Sequence, residues 1–168
     1  MRRLSEADGE PVLSRESAER VGKVRHVVID VAGRRIAALH IDGRRRKARL
    51  VDWSAVTGFG PDSVIIDSER SLRAPGEGEE LEVASGHLDI EGRLVLSDEG
   101  VELGRVVDIV FDETSGELVT IVTDRGEHPA ERLRAIGPYC MVLRAGDPPE
   151  VPAQAAAAEG ASPRESPY

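Results

Sequence analysis

Two stretches of this chain repeat one another and decide the fold: Gly22-Lys23-Val24-Arg25-His26-Val27-Val28-Ile29-Asp30 and Gly104-Arg105-Val106-Val107-Asp108-Ile109-Val110-Phe111-Asp112. They align without a gap, sharing the glycine, the first valine and the closing aspartate, and a basic residue follows each glycine. Each stretch is rich in β-branched residues and runs into Asp and Gly, so it predicts a strand that enters a hairpin. The recurrence predicts a duplicated folding unit.

The repeat continues on both sides of these stretches. Upstream, Val12-Leu13-Ser14 matches Val95-Leu96-Ser97 after a shift of one residue. Downstream, residues 56–61 match residues 133–138, and both segments end in Gly-Pro. Three blocks in the same order argue against a chance match of short β motifs.

The return strands of the two hairpins are predicted at residues 36–41 and 118–123. Alternation places Ala37, Leu39 and Ile41 on one buried face, with Val119 and Ile121 at the equivalent sites. A third strand is predicted at residues 47–51.

One helical turn is predicted before the last strands of each unit. Asp52 is placed as the N-cap of the first turn, and Pro129 stands near the start of the second, where a missing N–H costs least. A sheet this small hides its apolar face best by curling onto itself. The sequence therefore predicts an all-β protein of two small β-barrels in tandem, each with one short helical turn.

This order of elements resembles the PRC-barrel domain family. The order is Gly-basic-Val, a strand ending in Asp, a Gly-bearing hairpin, a second apolar strand, a short turn, and a final strand after Gly-Pro. The resemblance covers residues 12–67 and 94–145, and the family includes parts of the photosynthetic reaction centre H subunit and of the ribosome maturation factor RimM. It implies small barrels used as docking or adaptor modules, without shared catalytic residues.

We predict four segments along the chain. Residues 9–72 form the first module, residues 73–82 an acidic Gly/Pro linker, residues 83–146 the second module and residues 147–168 a disordered Ala/Pro-rich tail. Within the second module, residues 83–90 are expected to add a strand that joins the two barrels.

Composition narrows the class of function. The formal net charge of −9 disfavours general binding to nucleic acid or to an anionic membrane. The single cysteine, Cys140, is expected to be a buried inert thiol in a reducing compartment. With no apolar leader at the N-terminus and no apolar run of about 18 residues, the expected location is the cytoplasm.

Two features are candidate binding sites. The basic run Arg44, Arg45, Arg46, Lys47 and Arg49 offers guanidinium groups to phosphates or carboxylates, whereas the second copy has no such run. The alternative is a solvated charged edge strand that prevents aggregation. Trp53, the only tryptophan, is either a lid on a small core or a binding anchor.

No catalytic site is predicted. The four histidines are scattered over separate elements, so we expect neither a metal site nor a cofactor. Nor does the sequence place a nucleophile beside a base. The predicted function is a non-enzymatic adaptor that binds another protein; the alternative is an RNA- or ribosome-associated maturation factor that uses the basic run.

Overall fold

The structure, a computed structural model, describes residues 1–43, 49–78 and 89–146. The chain begins with a short strand, β1 (Arg2–Arg3), and one helical turn, α1 (Leu4–Ala7). The strands form two sheets of seven, which confirms the all-β class and the tandem of two similar units.

The first module consists of the strands β2 to β8. Their bounds are β2 (Pro11–Ser14), β3 (Arg20–Asp30), β4 (Arg35–Asp42), β5 (Arg49–Asp52), β6 (Val56–Phe59), β7 (Val64–Ile66) and β8 (Leu72–Arg73). In space the strands follow the order β6-β7-β2-β3-β4-β5-β8.

The second module repeats this arrangement with β9 to β14. Their bounds are β9 (Leu94–Ser97), β10 (Glu102–Phe111), β11 (Leu118–Thr123), β12 (Gly126–Pro129), β13 (Leu133–Ile136) and β14 (Cys140–Leu143). In both modules the strand that ends the sequence repeat, β7 or β14, runs parallel to the strand that begins it, β2 or β9. The seventh strand of the second sheet is β1, which pairs with β10.

The predicted helical turns are confirmed as 3-10 turns at Trp53–Ala55 and Ala130–Arg132. A further turn at Glu69–Ser71, and α1, were not predicted. Asp52 occupies the N-cap position of the first turn, as predicted, but its side chain makes no capping hydrogen bond. Its carboxylate instead accepts a hydrogen bond at 2.8 Å from Nη2 of Arg73, which lies in the strand β8.

The predicted alternation along the return strands is partly wrong, and a β-bulge is the reason. The ladder of β10 and β11 passes from the pair Val110–Thr120 to the pair Phe111–Leu118, which leaves Val119 as an extra residue. An extra residue reverses the alternation locally, so Val119 is exposed while Ile121 is fully buried. The equivalent bulge in the first module leaves Ala37 as the extra residue, half-buried.

The strand β4 is also buried on both faces rather than on one. Leu39 and Ile41 belong to the main core, as predicted. Ala38, on the other face, packs with Val28 and Leu50 in a second small cluster. Alternation alone does not reveal a strand that is covered on both sides.

The two modules meet through reciprocal backbone hydrogen bonds. Ile36 N donates to Gly116 O at 2.8 Å, and Leu118 N donates to Arg34 O at 2.9 Å. In the sequence repeat Ile36 corresponds to Leu118, and Arg34 corresponds to Gly116. Each module thus uses the same segment to bind the other, as in an isologous dimer interface. The chain is an internal pseudo-dimer with an approximate two-fold axis.

Aromatic side chains from both modules form the core of this junction. The Phe111 ring lies edge-on to Phe59 and to Trp53, with centroid separations of 5.4 Å and 6.1 Å. The Arg2 guanidinium lies 5.5 Å from the centre of the Phe59 ring. Buried apolar residues of both modules therefore belong to one continuous core.

Several predictions fall on residues that the structure does not describe. The last four residues of the acidic linker (79–82), most of the predicted joining strand (83–88) and the tail (147–168) lie outside the described ranges. The proposed segment boundaries and the disorder of the tail stay predictions.

Candidate functional site: a groove at the module junction

A groove of about 750 Å³ opens where the two modules meet, and we call it the junction groove. Its walls come from α1, from residues 24–27 of β3, from residues 89–92 and from residues 106–109 of β10, with β4 contributing His40 and Asp42. Both modules are therefore needed to form it.

The junction groove follows the pseudo-two-fold symmetry of the chain. Gly9 N donates to Val24 O, and Gly92 N donates to Val106 O, each at 2.8 Å. Matching bulges interrupt the ladders between Val24 and His26 and between Val106 and Asp108. A bulge redirects the extra residue of its strand, and in the second module that residue, Val107, lines the groove and is 49% exposed.

Two histidines lie together in one wall. His26 and His40 are direct partners in the β3–β4 ladder, and their rings stack with centroids 5.4 Å apart. His40 is only 8% exposed, and its Nδ1 has no hydrogen-bond partner within the described residues. Burial lowers the pKa of His40, and the charge of His26 lowers it further, against a smaller raising effect of Asp42. A neutral imidazole results at neutral pH, with one ring nitrogen able to accept a hydrogen bond.

His26 also links the modules across the groove. Its Nδ1 lies 3.3 Å from Asp89 Oδ1, which belongs to the chain just before the second module's first strand. In the sequence repeat His26 corresponds to Asp108, so the pseudo-symmetry is broken at this position.

Asp108 anchors the N-terminal turn to the second module. Its carboxylate is buried and accepts hydrogen bonds from Ser5 N at 3.2 Å and from Ser5 Oγ at 2.5 Å. It also accepts from its neighbour Ile109 N at 2.8 Å. These bonds fix α1 as one wall of the groove.

The charged groups around the groove are mostly acidic. Its lining contains five carboxylates and one guanidinium: Asp8, Asp42, Asp89, Glu91, Asp108 and Arg25. Arg25 lies 3.3 Å from Asp42, so its charge is already paired. Because apolar side chains share the lining with these carboxylates, the groove suits a ligand that is both cationic and partly apolar.

The sequence-predicted binding residues lie away from this groove. Arg44, Arg45, Arg46 and Lys47 are outside the described residues. Arg49 is exposed at the start of β5, where it pairs with Ile41. Neither this residue nor Trp53 lines the groove.

Trp53 is a lid on the core, the first of its two predicted roles. It is half-buried, and its ring stacks on Phe59 at 5.7 Å. The tight fit against Gly116 shows that this lid reaches across the junction. The binding-anchor role stays a prediction.

Two further expectations differ from the structure. Cys140 is half-buried at the first position of β14 rather than fully buried. The histidines are not all scattered, since His26 and His40 stack. Counting outward from the hairpin turn would have placed His26 opposite Leu39, because the bulge at Ala37 shifts the pairing by one residue. Over the ranges that the structure describes, no group of three or more metal-ligating side chains is found.

The described residues also contain no helix long and apolar enough to cross a membrane. The comparison with curated proteins gave no match. The family model of the PRC-barrel domain matches twice, over residues 1–73 and 86–146. These matches cover both modules, including the N-terminal strand and turn. The chain therefore belongs to the PRC-barrel domain family and carries the domain in two copies.

Proposed function

We propose that this protein is a non-enzymatic adaptor of the cytoplasm that binds another protein in the junction groove. The observation that carries the proposal is that equivalent segments of both modules build one groove with apolar surface between charged groups. Protein-binding sites combine an apolar centre with a polar rim in this way. A tandem arrangement is required for such a site, since neither module forms it alone.

The chemistry of the groove supports binding rather than catalysis. Its one hydroxyl among the described lining residues, Ser5 Oγ, donates to Asp108 and not to an imidazole. A serine nucleophile needs an adjacent base that takes its proton, and an imidazole is the common group in that role. The charged groups of the groove lining therefore serve to bind a partner protein rather than to transfer a proton.

Site-specific photo-crosslinking in the native cell tests the proposal. Val107 lies in the groove, and Tyr139, 77% exposed, lies outside its lining, so p-benzoylphenylalanine is placed at one position or the other. We expect a discrete protein crosslink from position 107 and none from position 139. The absence of a crosslink at 107, or an equal one at 139, would overturn the proposal.

The RNA- or ribosome-associated role stays a prediction based on the basic run. Co-sedimentation with ribosomal particles that weakens steeply with salt would support it. A variant with Arg44, Arg45 and Arg46 replaced by alanine separates the two roles, because the crosslink at position 107 should persist in it.

A further inference from the structure

Two carboxylates occupy equivalent positions on the two sides of the junction groove. Asp8 precedes Gly9, and Glu91 precedes Gly92, the two glycines whose N–H groups donate to β3 and β10. Both carboxylates are exposed and line the groove. Within the part of the chain that the structure describes, neither makes a hydrogen bond or an ion pair.

The other acidic groups of the groove are already engaged. Asp42 faces Arg25, Asp89 faces the His26 ring, and Asp108 accepts hydrogen bonds from Ser5. Asp8 and Glu91 are consequently the two carboxylates of the lining that have no hydrogen-bond or ion-pair partner among the described residues. Opposite charge on a ligand would be attracted to both sides at once.

The lining that holds these carboxylates also contains apolar side chains. Ile90 and Val27 are half-buried, and Val107 is the most exposed apolar side chain of the groove. An apolar side chain placed there would remove this surface from water at roughly 25 cal/mol per Å². A small polyamine would leave it uncovered, whereas a peptide with mixed side chains would not.

A second, independent feature of the groove is a buried polar atom without a partner. His40 lies in its wall, more than nine-tenths buried, with an Nδ1 that lacks a partner among the described residues. An unsatisfied buried polar atom costs about 1–3 kcal/mol. Such atoms are retained where a ligand or a water completes them.

We propose that the junction groove binds a basic, extended segment of the partner protein. Its arginine or lysine side chains reach Asp8 and Glu91, and an apolar side chain between them lies on Ile90 and Val107. This inference rests on the proposed adaptor function and specifies the chemistry of the partner.

The test titrates the full-length protein with two probe peptides and follows its backbone amides by NMR. The probes are acetyl-Arg-Leu-Arg-Leu-Arg-amide and acetyl-Glu-Leu-Glu-Leu-Glu-amide. We expect the basic probe to shift the amides of Ile90 and Val107 saturably, and the acidic probe to leave them unchanged.

A pair of double variants decides whether the position of the charges matters. Asp8→Gln/Glu91→Gln removes both groove carboxylates, and Asp62→Gln/Glu131→Gln removes one exposed carboxylate from each module outside the groove lining. The first should weaken binding of the basic probe about five- to thirtyfold, as expected for two surface ion pairs. The second should leave the Kd within about twofold of the wild type.

Three outcomes of the titration would overturn the inference: no saturable shift, equal binding of the acidic probe, or equal weakening by the two double variants. Failure of this inference is distinguishable from failure of the proposed function. If the crosslink at position 107 persists at wild-type yield in Asp8→Gln/Glu91→Gln, protein binding stands and the cationic chemistry is refuted. If the wild type gives no crosslink there, the adaptor function itself falls.

Discussion

Replacement of Gly116 by alanine is expected to loosen the contact between the two modules. Gly116 has a φ of +75°, and a Cβ built on it would lie 2.7 Å from Trp53 Cε2 and 2.8 Å from Trp53 Nε1. Ordinary carbon contacts are about 3.5–4.0 Å. The indole must therefore move away from the hairpin of the second module, which disturbs its packing on Phe59 and Phe111.

The magnitude follows from two separate costs. A left-handed backbone costs a residue with a Cβ about 1–2 kcal/mol relative to glycine. Overpacking of a filled core adds about 1–3 kcal/mol. The matched control is Gly100→Ala, since Gly100 has a φ of +83° but nothing within 4 Å of its Cβ position. We expect a loss of about 2–5 kcal/mol in Gly116→Ala, the sum of both costs, and about 1–2 kcal/mol in the control, which carries the backbone cost alone.

Urea unfolding measures this difference. Trp53 is the only tryptophan, so its fluorescence reports on the junction, while circular dichroism at far-ultraviolet wavelengths reports on both sheets. Because the modules share one core, the two signals should change together in the wild type. Equal destabilisation in the two variants would refute the reasoning, because the steric contact with Trp53 would then contribute nothing.

Three further predictions concern the junction and the groove. Arg34 has a φ of 50° at the position equivalent to Gly116, so Arg34→Gly is expected to raise the free energy of unfolding by up to about 1 kcal/mol. An unchanged free energy of unfolding in the urea assay would contradict this. Asp108→Ala removes the hydrogen bonds to Ser5 and is expected to lower the free energy of unfolding by about 1–3 kcal/mol in the same assay. A decrease of less than about 0.5 kcal/mol would contradict the anchoring role. Burial and the charge of His26 hold the pKa of His40 below 6.5, so the unfolded chain takes up the proton first and stability falls as the pH drops through 6.5. His40→Leu should reduce this fall between about pH 7.5 and about pH 5.5, and an unchanged pH dependence would show that His40 is not its source.

The sequence repeat was sufficient to predict the architecture. Glycine, valine and aspartate recur at fixed positions because each copy needs the same strand, the same hairpin and the same turn before its last strands. The carboxylates of Asp30 and Asp112 accept hydrogen bonds from backbone N–H groups of the turns that follow them. Local hydrogen bonding of this kind is encoded in neighbouring residues, so it can be read from a single sequence.

Features that depend on pairing between distant segments could not be predicted in this way. Val119 is exposed because of a bulge, and the register of the opposite strand determines that bulge. Asp52 follows the signature of an N-cap, yet it binds Arg73, whose position depends on β8. Local pattern and tertiary contact compete at such residues, and here the tertiary contact prevails.

The candidate site was missed for the same reason. The segments around Arg34 and Gly116 resemble ordinary hairpins, and no local signal shows that they bind each other. The groove exists only after this pairing, so the placement of Asp8 opposite Glu91 is a property of the assembled chain. The duplicated sequence offers one signal in retrospect, since equivalent positions that lie near a two-fold axis face one another.

The central claim is that the two modules are joined through Trp53 and the equivalent hairpins, which creates the groove. Nuclear Overhauser effects from the Trp53 indole in the full-length protein test it most directly. The account predicts strong effects to the α-protons of Gly116 and to the ring of Phe111, both in the second module. Effects confined to Phe59 and other residues of the first module would contradict it.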